Sequence, residues 1–302
     1  MTDNSNIFSE IKVIKKLEKG KFQVFLTESK ADKTKFALKV FPCSEDKISS
    51  YYKNESRFSN LDHENVIKIV SKHAQATTMK DNKPSTSSVL LMEYAPFGNF
   101  KDIILDSPQL FKSEKVIRTF FHQLINGLEY MHSQGYYHLD IKPENILLGD
   151  SFQLKIADFD LSYIRSQDKK IHSRGTKCYR APELANEQCR NPAAADVYSA
   201  GIFLYVMKTF GSLPHIEDAE VNGVNFFRLF DQIDKSEFWA AQRRYLKKDE
   251  SFFSEEFKQL ISKTLDTNVA LRWNIDDVKK SKWYNGPTYT EEEMARIIKI
   301  TQ

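Results

Sequence analysis

The feature that most constrains how this chain can fold is a change of hydrophobic period near residue 95. Before it, short runs rich in β-branched and aromatic residues recur at Ile11–Leu17, Phe22–Thr27, Lys35–Phe41, Val66–Val70 and Val89–Tyr94. Turn residues such as Asp32-Lys33-Thr34 separate them, which predicts an antiparallel sheet. One helix is expected over residues 47–60, and the polar stretch 77–88 reads as a surface loop between the last two strands. After Pro96-Phe97-Gly98 the period becomes helical: Val116, Ile117, Phe120, Leu124, Leu128 and Met131 form one stripe behind Ser113 as N-cap, ending at Gly135. Further helices are expected over 196–210 and after Ser254, where Phe257, Leu260, Ile261 and Leu265 share a face.

At 302 residues the chain is long for one core and suits two lobes. The expected class is α+β: a small antiparallel-sheet lobe with one main helix over 1–95, a larger and mostly helical lobe over 96–284, and a tail over 285–302. In that tail Thr290-Glu291-Glu292-Glu293 has the pattern of a capping box ahead of Met294, Ile297 and Ile298. The amphipathic helix it predicts either docks on its own domain or offers a face to a regulatory partner.

With 41% hydrophobic residues, 22 Phe and 13 Tyr, the chain has enough apolar area to exclude disordered and fibrous classes. A net charge of +3 gives no electrostatic case for a nucleic-acid partner. Cys43, Cys178 and Cys189 are odd in number and lack zinc-ligand spacing, which fits a reducing compartment. The stretch Met1–Phe8 is polar and the apolar run Gly201–Met207 is too short for a membrane span. A soluble, cytoplasmic protein is expected, with a nuclear location left open.

The segment His138-Leu139-Asp140-Ile141-Lys142-Pro143-Glu144-Asn145 is followed, thirteen residues after Asn145, by Asp158-Phe159-Asp160. Together these supply what phosphoryl transfer requires. There is an acid to orient a hydroxyl, a lysine to neutralise the moving group, and an amide plus a second carboxylate as hard oxygen ligands for Mg²⁺. His138 by itself reads as a satisfied core residue.

These residues resemble the eukaryotic protein kinase family, serine/threonine type, and most closely its calcium/calmodulin-dependent kinases, over about residues 11–284. Phe36-Ala37-Leu38-Lys39 is similar to the family's Val-Ala-Ile-Lys strand, Asp140, Lys142 and Asn145 to its catalytic loop, and Asp158-Phe159 to its metal-binding motif. Ala181-Pro182-Glu183, Asp196, Gly201 and Arg272 stand at further family positions. The resemblance implies a bilobal kinase-like fold, ATP and Mg²⁺ as cofactors, and protein substrates. It casts Asp140, Lys142, Lys39 and Glu55 as catalytic residues, with Glu55 pairing with Lys39, and Asn145 and Asp158 as metal ligands. It places Leu17, Gly20, Val24, Ala37, Lys39, Met92 and Leu147, with the backbones of Glu93 and Ala95, around the nucleotide. Lys142 and Thr176 favour serine/threonine over tyrosine.

Three departures accompany the likeness. The phosphate-covering loop Leu17–Val24 keeps Gly20 and Phe22 but carries Glu18 and Gln23, Asp160 replaces a glycine, and Leu139 replaces the arginine that receives an activating phosphate. The last points to activity without phosphorylation at Ser166, Ser173 or Thr176. Positions aligned with arginine-binding carboxylates hold Asn99 and Val206, leaving Glu144. The alternative reading is a pseudokinase, a nucleotide-binding or scaffolding module without useful catalysis.

Overall fold

A computed structural model describes residues 7–19, 21–43, 47–80, 83–166, 171, 175–185, 189–214, 220–221 and 223–301. Among them β1 (Ile11–Lys19), β2 (Gln23–Ser29), β3 (Lys35–Pro42), β4 (Ile69–Lys80) and β5 (Lys83–Glu93) form an antiparallel sheet in the order β1-β2-β3-β5-β4. Its two faces follow from strand alternation. Leu38, Val89 and Leu91 are covered by Ile7 of the short α1 (Ile7–Glu10), whereas Ala37, Phe41, Leu90 and Met92 face the main core.

The stretch 77–88 is not the expected loop. β4 and β5 run on as a hairpin ribbon with Ala76 opposite Ser87, Thr77 opposite Thr86 and Thr78 opposite Ser85, so that only 81–82 fall between the strands. Thr and Ser pair well across strands, and the Ser88 hydroxyl donates to Ala74 O at 2.6 Å. The predicted strand at 66–70 also shifts. Val66 and Ile67 are buried; the Val66 N–H closes a turn on His63 O and the Ile67 N–H donates to Ile156 O of the helical lobe, so neither donates to the sheet. The helix expected over 47–60 is shorter: α2 spans Ser50–Glu55 and tightens into a 3₁₀ turn at Ser56–Phe58.

The helical lobe opens with α3 (Phe100–Asp106), capped by Asn99, and α4 (Glu114–Ser133), whose N-cap Ser113 accepts from the Val116 N–H as expected. After α5 (Pro182–Ala185) comes α6 (Pro192–Lys208), which begins four residues before the expected start. It is buried on nearly every side, so Pro192-Ala193-Ala194-Ala195 shows no stripe from which a start could be read. Then follow α7 (Phe226–Phe230), α8 (Ser236–Leu246), α9 (Glu255–Thr264), α10 (Ile275–Lys280) and α11 (Glu291–Thr301). α4, α6 and α9 stack to make the core against which the loops between α4 and α5 are pinned.

Between α4 and α5 lie one short hairpin, Ile146–Leu148 with Leu154–Ile156, and a two-residue antiparallel pair that encloses it, Tyr136–Tyr137 with Tyr163–Ile164. The capping box of α11 forms, with Thr290 and Glu293 exchanging hydrogen bonds. Its Met294 and Ile298 are buried against the turn Pro108–Lys112. The Arg118 guanidinium fastens the approach by donating to Trp283 O at 2.6 Å and Pro287 O at 2.9 Å. The tail docks on its own domain, and the apolar face considered for a partner is already used.

Arg272, buried, reaches across from the segment before α10 to Glu183 of α5 at 2.6 and 3.0 Å, and also donates to Ala194 O. Removing one partner of such a pair strands the other. Arg272→Ala is therefore expected to cost about 3–5 kcal/mol, read as a drop in the urea unfolding midpoint. A cost below about 1 kcal/mol would show that Glu183 finds solvent without it.

Candidate active site

β3 puts Lys39 on the face it shares with Ala37 and Phe41, between the two lobes. Its Nζ is 2.6 Å from Glu55 Oε2 at the end of α2 and 2.7 Å from Asp158 Oδ1. Burial opposes the lysine charge, but the two flanking carboxylates more than compensate and raise its pKa. Burial pushes Glu55 up to about 7, with the Lys39 charge pulling against it, and Glu55 Oε1 has no hydrogen-bond partner among the described residues. For Asp158 burial also pushes upward, yet the Lys39 charge and hydrogen bond hold the carboxyl below its ordinary value.

Asp196 of α6 organises the loop before Asp140. Its carboxylate accepts from the backbone N–H of His138 at 2.9 Å and of Leu139 at 2.7 Å, and lies 2.8 Å from His132 Nε2. His138 is the satisfied core histidine expected, 2.9 Å from Ala157 O. Leu139 adopts φ +63° with its side chain in the core. Asp140 Oδ2 then lies 2.8 Å from Lys142 Nζ and accepts from Asn145 Nδ2 at 2.9 Å.

Asp140 Oδ1 is held by Thr176, whose N–H and hydroxyl each donate at 2.8 Å, while Lys142 Nζ donates to that hydroxyl at 2.7 Å. The sequence marked Thr176 as a sign of class and as a candidate phosphorylation site, and did not place it here. Gly175 makes the approach possible. Its φ is +92°, and a Cβ there would stand 2.6 Å from Leu139 O.

A cleft of about 720 Å³ opens in front of these groups. Leu17, Val24, Ala37, Met92, Glu93, Ala95 and Leu147 line it, as does Ile67, which the sequence did not single out. Gly20 lies outside the described residues, as do Ser173 and the side chain of Glu18. The Glu93 N–H is spent on Lys68 O, and Ala95 O accepts from Gly98.

Asp160, which replaces the expected glycine, has no left-handed backbone to require one. Burial and the neighbouring Asp158 charge raise its pKa, and Lys21 approaches it at 3.9 Å from above the Tyr51 ring. Two further groups escaped the sequence reading. Asn54, beside Glu55, donates to the carbonyls of Phe159, Asp160 and Ser162. Lys101 forms an ion pair with Glu144 at 3.2 Å.

Residues 11–284 match the family described as protein kinase domain. Over 293 residues the chain is 31% identical to CBL-interacting protein kinase 11 of Oryza sativa subsp. japonica, covering 95% of this chain and 54% of that relative. It is 37% identical over 201 residues to CBL-interacting serine/threonine-protein kinase 8 of Arabidopsis thaliana, covering 66% of this chain and 41% of the relative. The chain thus spans about half the length of the curated relatives it matches. Their names carry CBL interaction, not calcium/calmodulin dependence, so the finer likeness drawn from the sequence gives way to the protein kinase domain as such.

The glycines test the loop geometry. Gly98 also has positive φ, +74°, but a Cβ there meets nothing within 4 Å. Gly98→Ala is expected to cost about 1–2 kcal/mol from φ alone, and Gly175→Ala at least about 1 kcal/mol more because Leu139 O must move. Equal losses in thermal denaturation would mean that the close approach of Gly175 is not a constraint.

Proposed function

The chain belongs to the protein kinase domain family, and from that membership we propose that it is a serine/threonine kinase transferring the γ-phosphoryl of ATP to protein hydroxyls. The observation that carries the reading is the interlock of Asp140, Lys142 and Thr176 beside the Lys39–Glu55–Asp158 cluster at one cleft.

In this reading Asp140 orients the substrate hydroxyl and takes its proton. The hydroxyl oxygen bonds to the γ-phosphorus as the bond from that phosphorus to the bridging oxygen of ADP breaks. Lys142 neutralises charge on the moving group, and Lys39, held by Glu55, anchors the α- and β-phosphates. Apolar Leu17, Val24, Ala37, Met92 and Leu147 suit a flat base. The backbones of Glu93 and Ala95, which line the cleft, are the polar edges offered to it.

The donor set suits a hard cation. Lys39 takes Oδ1 of Asp158 and the Asn145 amide nitrogen serves Asp140, so Asp158 Oδ2 and Asn145 Oδ1 are the oxygens to offer Mg²⁺. Bound there, Mg²⁺ would offset the phosphate charge.

Substrate choice follows from the mouth of the cleft. Asn99 is engaged with Asp102, Val206 is buried, and Glu144 shares one oxygen with Lys101 at 3.2 Å, which leaves a single carboxylate for a basic side chain. No strong demand for arginine three residues before the target is expected. The chain's relatives are CBL-interacting by name, and a regulatory protein partner is part of this proposal, on a surface other than the apolar face of α11. So is a cytoplasmic location, which rests on the odd number and the spacing of Cys43, Cys178 and Cys189. The buried Leu139 supports substantial activity without an activation-segment phosphate.

The reading is tested with labelled ATP, Mg²⁺ and a basic protein substrate. Asp140→Asn, Lys39→Met and Asp158→Asn should each lower turnover by about 10² or more while the protein stays folded. No incorporation by the parent chain would favour the scaffold reading, and near-parental turnover in a variant would remove that residue's role. On a peptide array, a dominant upstream arginine would overturn the substrate argument. Phosphatase-treated protein should keep its activity within about threefold, and a dependence of tens of fold would refute the regulatory one.

A further inference from the structure

We propose that Asn54 is a positioning residue that sets the aim of the metal-ligand carboxylate Asp158 through the backbone that follows it. The inference rests on the kinase reading for its functional consequence, and on geometry for its structural one. Asn54 Nδ2 donates to Asp160 O at 2.7 Å, Ser162 O at 3.1 Å and Phe159 O at 3.3 Å, while its Oδ1 accepts from Arg57 at 2.7 Å.

Three carbonyl oxygens of one short segment converge on a single amide. Their dipoles repel one another; the Ser162 N–H closes the turn on Phe159 O at 3.1 Å, and the Asn54 amide is the side-chain donor at its centre. Asp158 heads that turn with φ +66°, a left-handed conformation that aspartate tolerates better than most non-glycine residues but still at some cost. One turn along, Phe58 stacks on Phe159 with centroids 5.0 Å apart and planes 6° apart, so Asn54 and Phe58 grip the segment by backbone and by ring. Between them Glu55 holds Lys39, which holds Asp158 itself. The end of α2 thus fixes Asp158 from the side chain by ion pairs and from the main chain by Asn54.

This arrangement supplies order that Leu139 cannot supply by binding a phosphate. It predicts that loss of the amide donors loosens the segment and weakens metal use while leaving every charged reacting group in place. Partners that orient metal ligands are typically worth about 10–100-fold in metal affinity or activity.

The test compares the parent with Asn54→Asp, isosteric but without donors, and Asn54→Ser, uncharged and too short to reach. In metal-free protein, amide hydrogen exchange over 159–164 should speed up in both variants, with exchange in α4 and α6 unchanged. In the assay, the Mg²⁺ concentration for half-maximal turnover should rise about tenfold, and excess Mg²⁺ should recover much of the rate. A purely structural asparagine would lower the melting temperature and the active fraction without moving the Mg²⁺ midpoint. Unchanged exchange over 159–164, or a Mg²⁺ midpoint within about twofold of the parent, would overturn the proposal. A parent that transfers no phosphoryl group would instead count against the kinase reading, and the exchange comparison would still decide the role of Asn54.

Discussion

A lysine as deeply buried as Lys39 keeps its charge only where anions stand within reach, and the positions of those anions tie the molecule together. Glu55 comes from the end of α2 and Asp158 from the loop behind the hairpin 146–156, so one cation fixes the sheet, the helix and the helical lobe against one another. The arrangement is costly. Glu55 is fully buried with one oxygen unpartnered, and an ion pair in that setting stabilises less than a hydrophobic contact of equal volume. Its value lies in geometry, because Lys39 is presented to the cleft in one orientation with its proton secure.

The helical lobe solves a related problem by other means. The loop carrying Asp140 has no regular ladder of its own, and its N–H groups are satisfied by Asp196 from α6, a helix sunk in the core. The carboxylate acts as a rigid acceptor for two successive amides, which permits the left-handed turn at Leu139. From there Asp140 projects toward Lys142, Asn145 and Thr176. Side chains on short loops thereby gain the precision of the most buried helix in the lobe.

How much of this was legible in the sequence depended on whether the information was local. The chain from His138 to Asn145, the Asp158-Phe159 pair and Lys39 were readable because residue type and spacing carry the chemistry directly. The caps of α4 and α9 were readable for the same reason. The ribbon at 77–88 was not, because Lys, Asn and Pro outweigh a Thr/Ser strand pattern that is stabilised only by its partner across the hairpin. Val66 and Ile67 have strand composition, yet the stretch 65–67 brackets Ile156 of the other lobe, the Ile67 N–H donating to Ile156 O and Asn65 O accepting from Ile156, a choice made by tertiary packing. Asn54, Lys101 and Thr176 are ordinary polar residues in sequence. Their importance comes from partners that lie roughly a hundred, forty and thirty-five positions away.

The same distinction bears on how the site is switched. A kinase whose loop arginine receives a phosphate stores the information for ordering in a modification, and the ordered state is absent until it arrives. Here the corresponding side chain, Leu139, is apolar and packed in the core, so a phosphate on the activation segment would find no cation at that point. The segment is instead engaged at both ends by hydrogen bonds made within the fold: near Asp158 by the Asn54 amide, and near Asp140 by the backbone and hydroxyl of Thr176, which donate to that carboxylate. Such bonds form on folding and do not depend on an incoming charge. In the kinase proposed above, displacement of α2 or of the stretch around Gly175 would break those contacts, and with them the order that a phosphate supplies elsewhere.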